Sequence, residues 1–345
     1  MKTPRAPWLT VLPGVVAVYG VLAAASLLLG AEHVSLAQAW TDWRAGLSLA
    51  DSPDLSILVQ QRLPRTLAAL IAGAGLALAG CSFQALLRNP LATPYTLGVA
   101  SWASLGAWAA TVLIYGYGYP FWIFGLPTVE LAAFLFAAAN VTVIYLLAIG
   151  KARMAPTVLL LAGVTMGMIA NSGILFMRYL ADPERLVVMD RWLMGGVDVL
   201  GFGPVAGLLA GVIPCSILLL LQSPKFDQLG FGEELAAGRG VNVRQLQIVT
   251  FFTGSLMTAI IVAKVGPIGF VGLIVPHAVR GVVGSRHRLL MPLSLLAGGA
   301  FLCLCDIVAR RVLPGETPIG IITTLIGGPF FIYLLVRRRF TDWQT

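Results

Sequence analysis

The chain has 345 residues, of which 58% are hydrophobic and 11% are charged, and its formal net charge is +8. Soluble domains carry about 25% charged residues, so these few charges cannot cover a surface that faces water on all sides. The composition therefore excludes a soluble enzyme and a disordered chain, and it indicates an integral membrane protein.

Ten apolar stretches predict ten membrane-spanning helices, because a spanning helix needs about 20 mostly apolar residues. A single-pass protein is excluded by the same count, and β-strands are not expected within the spans. The first stretch follows Lys2 and Arg5 like a signal peptide, but its roughly 22 residues exceed the 7–15 of such a segment, so we expect a retained span. The predicted spans lie near residues 8–30, 66–87, 95–115, 127–149, 157–180, 202–222, 246–264, 267–284, 290–313 and 318–336.

The distribution of charge predicts the orientation of these spans. An even number of spans places both termini on one side, and the segments on that side contain 14 of the 23 basic residues but only four of the 15 acidic residues. Basic loops stay in the cytoplasm, so both termini are expected there, and the run Arg337–Arg339 is the clearest indication. The same rule explains the basic residues better than a nucleic-acid partner does, because they form no single stripe.

Three connections are longer than a simple turn between spans. Residues 31–65 are expected outside and contain Trp40, Trp43, Arg62 and Arg65. Residues 181–201 are also expected outside, and residues 223–245 are expected inside. No boundary between soluble domains is visible, so residues 1–345 are predicted to form one transmembrane domain.

Several motifs are missing from the sequence. There is no GxxxxGK[ST] loop for ATP, and HExxH and GxSxG are absent too. The four cysteines lie in apolar runs without CxxC spacing, which favours buried structural residues. The three histidines do not converge on a metal site in the membrane. We therefore expect no catalytic residue, no metal site and no cofactor in this chain.

The charged residues inside the spans argue against ion-coupled transport. Asp306, Glu130 and Lys264 all fall toward the ends of spans, whereas an ion relay requires charges deep in the membrane. Asp306 is expected to pair with Arg310 one helical turn later. Two alternatives from other functional classes remain, a secondary transporter and a membrane-embedded enzyme. The sequence offers no ion relay for the first and no cluster of reactive residues for the second.

A short helix is predicted in the third long connection. Glycines at 230, 232, 238 and 240 bracket Glu233–Ala237, with the acidic residues at the start of this segment. Acids favour a helix N-terminus and glycine favours its end. A short helix between two spans could transmit motion from a soluble partner, and an ordinary polar loop is the alternative.

Four segments together resemble the FecCD family of permeases, which are the membrane subunits of bacterial ABC importers for iron-siderophores, haem and vitamin B12. The resemblance covers about a third of the residues, in the family's order and spacing. The segments are QRLPRTLAALIAGAGLALAGCSFQALLRNPLATPYTLGVAS (61–101), FGEELAAGRGVNV (231–243), GPIGFVGLIVPHAVR (266–280) and DIVARRVLPGETPIGIITTLIGGPFFIYLLVRRR (306–339).

The resemblance implies an all-α polytopic membrane protein with ten transmembrane helices, in which helices 2–5 and 7–10 form inverted repeats. It implies a dimer of two permease copies, a cytoplasmic pair of ABC ATPases that bind ATP and Mg, a periplasmic substrate-binding protein, and the bacterial inner membrane as location. The chain would then be a transport subunit and not an enzyme, moving a metal chelate by alternating access. The family favours a ferric siderophore as cargo, with haem and cobalamin as alternatives.

The resemblance also assigns residues. The ATPase-coupling segment falls on Gly232, Glu233, Glu234, Arg239 and Gly240. The residues expected to dock the binding protein are Arg62, Arg65 and Arg310, although Arg62 and Arg65 could instead anchor the second span at the membrane interface.

The segment 183–195 is similar to the family's short outer helix that helps to gate the pathway. The pathway itself would be lined by the tenth span and by residues of the fifth, namely Thr165, Met166, Ile169, Asn171 and Ser172, although core packing explains these residues nearly as well. Several relatives have Ser-Gly where this chain has Ser101-Trp102, and the sequence leaves the role of this indole open.

Overall fold

Residues 8–30, 34–117, 122–123, 126–149, 156–311 and 317–336 are described by the computed structural model of the chain, and most of them lie in helices. The helices are α1 (Trp8–Leu28), α2 (Leu36–Arg44), α3 (Pro53–Ser56), α4 (Leu63–Leu87), α5 (Val99–Tyr117), α6 (Thr128–Ile149), α7 (Pro156–Leu180), α8 (Pro183–Leu193), α9 (Gly203–Leu221), α10 (Ser223–Leu229), α11 (Glu233–Gly238), α12 (Val243–Val265), α13 (Val271–Val283), α14 (His287–Arg311) and α15 (Ile319–Val336). A π-helical segment, Ile57–Arg62, joins α3 to α4. Strands β1 (Trp122–Ile123) and β2 (Leu126–Pro127) form a two-residue antiparallel ladder between α5 and α6. The predicted all-α fold is confirmed.

Within the described residues, six helices are long and apolar enough to cross a membrane. They comprise the continuous helix from Pro53 to Leu87 together with α6, α7, α9, α12 and α14. Four shorter apolar helices lie at the other predicted spans, at Leu12–Leu28, Val99–Ile114, Val271–Val283 and Ile319–Tyr333. Each of the ten predicted stretches thus contains a helix, and the total of ten spans stays a prediction.

Helix α4 forms the centre of the bundle because its small residues let neighbouring backbones come close. A Cβ atom at Gly73 would lie 2.3 Å from the carbonyl oxygen of Gly298 on α14, and one at Gly80 would lie 1.9 Å from that of Gly272 on α13. Between membrane helices, where the hydrophobic effect supplies little attraction, such close van der Waals packing stabilises association.

Helices α4 and α12 run in opposite directions. The start of α4 and the end of α12 lie beside α8, where Arg65 approaches Asp198 and the Gly196 amide donates to the Val265 carbonyl at 2.9 Å. The end of α4 and the start of α12 lie beside α11, where Glu233 approaches Arg88. We call these the α8 end and the α11 end of the bundle.

The helix contacts follow the predicted inverted repeats. Helix α4 packs on α13 and α14, and α12 packs correspondingly on α5 and α6. The contacts of α5 with α6 and α7 likewise have counterparts in those of α13 with α14 and α15. This exchange of partners, together with the opposite directions of α4 and α12, is the arrangement expected of two inverted units.

Some helix boundaries differ from the prediction. The second span was predicted to begin near residue 66, but the helix starts at Pro53 and passes through the π-helical segment without a break. The eighth was predicted from residue 267, whereas α13 begins at Val271. The reason is that Gly266 and Phe270 have positive φ angles of 68° and 66°, which a right-handed helix cannot include.

The basic residues that most strongly indicate the orientation, Lys2, Arg5, Lys151, Arg153 and Arg337–Arg339, lie outside the described residues. The orientation of the termini therefore remains a prediction from charge.

Candidate functional site

A buried ion network is centred on Asp306 at the α8 end. The Asp306 side chain has no solvent exposure; it accepts a hydrogen bond from Arg65 Nε of α4 at 2.9 Å and pairs with Arg310 Nη2 at 2.7 Å. The predicted i,i+4 pair is therefore present. A buried charge is tolerated only when it is paired and hydrogen-bonded, so this carboxylate fastens α4 to α14.

Two arginines close the C-terminal end of α1. Arg62 Nη1 donates to the carbonyl oxygens of Leu27 at 2.9 Å and Leu28 at 3.1 Å. Arg310 donates to the Ser26 carbonyl at 3.3 Å and to its hydroxyl at 2.8 Å. The last carbonyls of a helix lack intrahelical donors and carry partial negative charge. Arg62 and Arg310 are only 5% and 6% exposed, so in this structure both side chains hold the end of α1.

Arg65 differs from these two because it also reaches an acid at the surface. Its Nη1 lies 3.4 Å from Asp198, whose other oxygen lies 3.6 Å from Arg191 Nη2. The side chains of Asp198 and Arg191 are 49% and 67% exposed. Exposed ion pairs contribute about 0–1 kcal/mol, so Asp198 is a partner that another carboxylate could replace.

Helix α8 lies at this end and is attached to neighbouring elements. Arg178 of α7 pairs with Asp190 of α8. After α8, the chain passes very close to the start of α15 and to the connection before α13: a Cβ at Gly320 would lie 2.0 Å from the Met194 carbonyl oxygen, and one at Gly195 would lie 2.3 Å from that of Pro267. These backbone contacts link the end of α8 to the connection before α13 and to the first turn of α15.

A cavity of about 230 Å³ opens beside these connections. Its lining includes the basic residues Arg65, Arg191 and Lys264 and the acid Asp198. Lys264 at the end of α12 pairs with Glu130 at the start of α6. Glu130 and Lys264, two of the charged residues considered for an ion relay, thus join two helices at the α8 end.

Helix α11 is a single short helix held by its buried face. Ala236 is fully buried, and its carbonyl accepts from the Val241 amide at 3.0 Å, which folds the chain back after the helix. The flanking glycines Gly232 and Gly240 have φ angles of 108° and 83°, which other residues adopt only with strain. The sequence prediction of a short helix is therefore correct here.

The three charged residues predicted for coupling occupy different positions around α11. Glu233 faces the bundle, where its Oε1 accepts from Gln247 at 3.4 Å and lies 3.8 Å from Arg88 Nη2. Glu234 is exposed. Arg239 donates to Gln228 at 2.7 Å, and its guanidinium lies 5.1 Å from the centre of the Phe231 ring.

Sequence reasoning missed two apolar residues on this surface. Phe231 and Leu235 are 64% and 58% exposed, and they are four residues apart in FGEEL. Both stand beside the acidic start of the predicted short helix, where large apolar residues in an otherwise polar connection could have identified them. Exposed large apolar residues beside charges are typical of the centre of a protein interface.

Helix α10 is tied to the start of α14. Asp227 accepts from the His287 backbone amide at 2.6 Å, and its carboxylate lies 3.1 Å from the His287 ring Nδ1. Burial alone would raise the pKa of Asp227, but the hydrogen bonds and charge of His287 outweigh burial and hold this pKa below its ordinary value. The segment that carries α11 is thereby linked to α14, whose other end contains Asp306.

The residues predicted to line the pathway are divided between two faces of α7. Thr165, Ile169, Asn171 and Ser172 are exposed, whereas Met166 is buried in the main core. The Met166 backbone carbonyl accepts from Trp102 Nε1 at 2.9 Å, so the indole ties α5 to α7. The exposed face of α7 continues with apolar residues such as Phe176, which is 65% exposed.

The described residues contain no group of three or more His, Cys, Asp or Glu side chains that could hold a metal ion. The four cysteines are free thiols and are buried.

Three comparisons with known proteins agree that this chain is similar to ABC transporter permeases. The model of the FecCD transport family matches residues 18–337. The hemin transport system permease protein of Yersinia pestis is 33% identical over 321 residues, which cover 92% of this chain and 93% of that protein. The vitamin B12 import system permease protein of Vibrio cholerae is 36% identical over 299 residues, covering 86% and 88%. A solved inward-facing structure of a putative metal-chelate type ABC transporter superposes with a TM-score of 0.80 at 30% identity, covering 95% of this chain and 99% of that one.

Proposed function

The chain belongs to the FecCD transport family of ABC transporter permeases, and from this premise we propose that it imports a metal chelate across the bacterial inner membrane. Import would proceed by alternating access, driven by ATPase partners. The observation that carries the proposal is the placement of an exposed α11 at one end of the helices and an ion-paired α8 at the other. A permease without a nucleotide site needs such contact surfaces on both sides of the membrane.

The ATPase partner is proposed to bind at the α11 end, which would be cytoplasmic. Phe231 and Leu235 supply exposed apolar contacts, and Glu234 and Arg239 supply charges around them. Movement of α11 would reach α12 through Glu233 and Gln247, and it would reach α14 through Asp227 and His287. ATP and Mg would be bound by the partner.

The substrate-binding protein is proposed to dock at the α8 end, which would be periplasmic. Of the three arginines assigned by resemblance, Arg65 would make the direct contact, because an acid of the partner can replace the exposed Asp198. Arg62 and Arg310 would support docking indirectly, by holding the end of α1 in place. Charge-assisted pairs of this kind orient a partner as well as attract it.

A second copy of this chain is proposed to pack against the exposed face of α7. This face combines small polar residues, Thr165, Asn171 and Ser172, with the apolar Ile169 and Phe176. A pathway between two such faces would offer a bulky ligand only weak contacts. Met166 would support this face from the core beneath it, where its backbone carbonyl accepts a hydrogen bond from Trp102.

The proposed cargo is a metal held inside an organic chelator, with a ferric siderophore as the first compound to test. Haem and cobalamin are the alternatives, since the relatives are named for hemin and vitamin B12. A secondary transporter is less favoured, because Glu130, Lys264 and Asp306 all have ion-pair partners near the ends of helices.

Reconstitution tests the proposal directly. The chain, its cognate ATPase and its binding protein are placed in liposomes, and uptake of a ferric siderophore, haem and cobalamin is measured with and without ATP. We expect uptake of one chelate only when ATP and all three proteins are present. Accumulation driven by an ion gradient with the chain alone would contradict the proposal and establish a secondary transporter.

A further inference from the structure

Helix α2 presents an apolar face away from the rest of the molecule. Leu36, Trp40 and Trp43 follow the i, i+4, i+7 spacing of one helix face, and they are 46%, 53% and 60% exposed. Leu47, just beyond the helix, is 43% exposed. The two indole rings lie 5.1 Å apart, so they form one continuous aromatic surface.

This orientation is fixed by polar contacts on another side of the helix. Asp42 is only 9% exposed; it accepts from Ser52 Oγ at 2.5 Å and from Gln38 Nε2 at 2.8 Å. Ala39 beside it is 3% exposed. The attachment to the protein therefore uses Ala39 and Asp42 and leaves the large apolar side chains outside.

Both ends of α2 are defined locally. The Ser35 hydroxyl accepts from the Gln38 amide at 3.2 Å and caps the start. At the other end, Leu47 donates to the Asp42 carbonyl and Gly46 to the Trp43 carbonyl, with φ of 72° at Gly46. This is the Schellman arrangement, which stops a helix at a glycine. The short helix is thus a defined element with a fixed apolar face.

The position of α2 relative to the spans places it at the membrane boundary. It follows α1, whose outer surface is also apolar, with Val18, Val21 and Leu28 at least half exposed. It is attached through Ser52 to the start of a continuous helix of 35 residues. Such a helix is about 52 Å long, whereas the bilayer with its headgroup regions is about 40–45 Å thick. The start of this helix therefore reaches the headgroup level.

The residue types match that environment. Tryptophan is enriched where hydrocarbon meets headgroups, because its ring is apolar and its N–H can bond to polar groups. Arg44 lies with its Cζ 4.9 Å from the Trp40 ring centre, and a long arginine side chain can cover apolar surface while its guanidinium reaches a phosphate. Leucine and tryptophan on one face, with polar residues on the other, is the pattern of a helix that lies in the interface.

We propose that α2 lies in the headgroup–acyl boundary of the leaflet at the α8 end, with Leu36, Trp40 and Trp43 inserted and Arg44 bound to lipid phosphate. The occupant of this face is lipid, because the long helix brings α2 to the headgroup level and tryptophan beside arginine is the residue chemistry of that environment. Insertion anchors the connection between α1 and α4 at the membrane. It also keeps the Asp42 side of α2 directed toward Ser52. The proposal does not depend on which substrate the chain carries.

Spin labels on single introduced cysteines test the insertion in the full chain. The four native cysteines are buried, so Leu36→Cys, Trp43→Cys and the control Thr41→Cys can be labelled selectively at exposed positions. Thr41 lies on the same helix but on a different face and is also exposed. The protein is placed in nanodiscs of phosphatidylethanolamine and phosphatidylglycerol, and relaxation by oxygen is compared with relaxation by water-soluble nickel ethylenediaminediacetate.

We expect the labels at positions 36 and 43 to favour oxygen severalfold over the nickel complex, and the label at 41 to show the reverse. Equal access of the nickel complex to all three labels would overturn the proposal. Protection of 36 and 43 from nickel only after the soluble binding protein is added would assign this face to protein docking and would overturn it as well. Failure of chelate import, by contrast, would leave these accessibilities unchanged.

Discussion

Arg65 Nε donates to the Oδ1 atom of the fully buried Asp306 at 2.9 Å. This hydrogen bond joins α4 to α14 through two residues that are 241 positions apart in sequence. The same carboxylate binds Arg310, so its loss would deprive two largely buried guanidinium groups of their buried acid and leave Arg65 only the half-exposed Asp198. Breaking a buried ion network by removing one member costs about 3–5 kcal/mol.

We therefore expect Asp306→Asn to lower the thermal unfolding midpoint of the purified protein markedly. Asp198→Asn is the matched control, since it removes the half-exposed partner of the same arginine and should cost less than about 1 kcal/mol. Intrinsic fluorescence during heating in nanodiscs measures both variants. Equal midpoints for the two variants would show that the Asp306 network does not stabilise the fold.

The exposed Asp198 leads to a prediction about docking. If a carboxylate of the binding protein takes its place at Arg65, then Asp198→Asn should strengthen docking and Arg65→Gln should weaken it, both more strongly at low salt, where exposed charges are less screened. Arg62→Gln loosens the end of α1. We therefore expect it to lower the thermal unfolding midpoint but to change the docking affinity less than Arg65→Gln does. Surface plasmon resonance on nanodiscs at two salt concentrations measures the affinities. No response to Asp198→Asn would argue against replacement of this acid.

Leu235 of α11 and Phe231 just before this helix should carry much of the ATPase binding. We expect Leu235→Ser and Phe231→Ser each to weaken association with the ATPase by at least about fivefold, because truncation of a central contact residue costs more than about 1 kcal/mol. Glu234→Ala should weaken it too. Ala237→Ser, an exposed position on the same helix, is the control. Unchanged copurification of the Leu235 and Phe231 variants would refute this assignment.

The contact between α4 and α13 leaves no room for a methyl group at Gly80. A Cβ there would lie 1.9 Å from the Gly272 carbonyl oxygen, which is backbone and cannot move aside alone. We expect Gly80→Ala to reduce stability by at least about 1–3 kcal/mol. Gly20→Ala on α1 is the control, because nothing lies within 4 Å of the new Cβ and alanine favours a helix. A melting point equal to that of the unsubstituted protein would contradict the close packing.

The pair of Asp227 and His287 predicts a pH dependence of stability. The pKa of Asp227 is lower in the folded protein than its ordinary value, so the pair stabilises the fold above the ordinary aspartate pKa of about 3.9. This contribution is lost as the pH falls below that value and the carboxylate is protonated. Asp227→Asn should therefore reduce the loss of thermal stability between about pH 5 and pH 3. Asp51→Asn, at an exposed position, is the control, and identical pH profiles for both variants would refute the prediction.

Much of the fold could be read from the order of apolar stretches. Each of the ten stretches contains a helix, because a polypeptide in lipid must satisfy its backbone hydrogen bonds within the segment. The local signals were also sufficient for α11, where acids and glycines mark the ends, and for the pair of Asp306 and Arg310 one turn apart. The start of the long helix at Pro53 was missed because charged and polar residues, including Arg62 and Arg65, interrupt its apolar pattern.

The sequence by itself determined that the chain is a bundle of apolar helices with a coupling segment and a group of arginines, since composition, spacing and motif order are local properties of the chain. Only the tertiary structure decided which face each side chain occupies. Arg62 caps α1, Arg65 reaches both Asp306 and the surface, Met166 points into the core, and the tryptophans of α2 point out. The physical reason is that a charge or an indole finds its partners on helices far away in sequence, and their packing sets those distances.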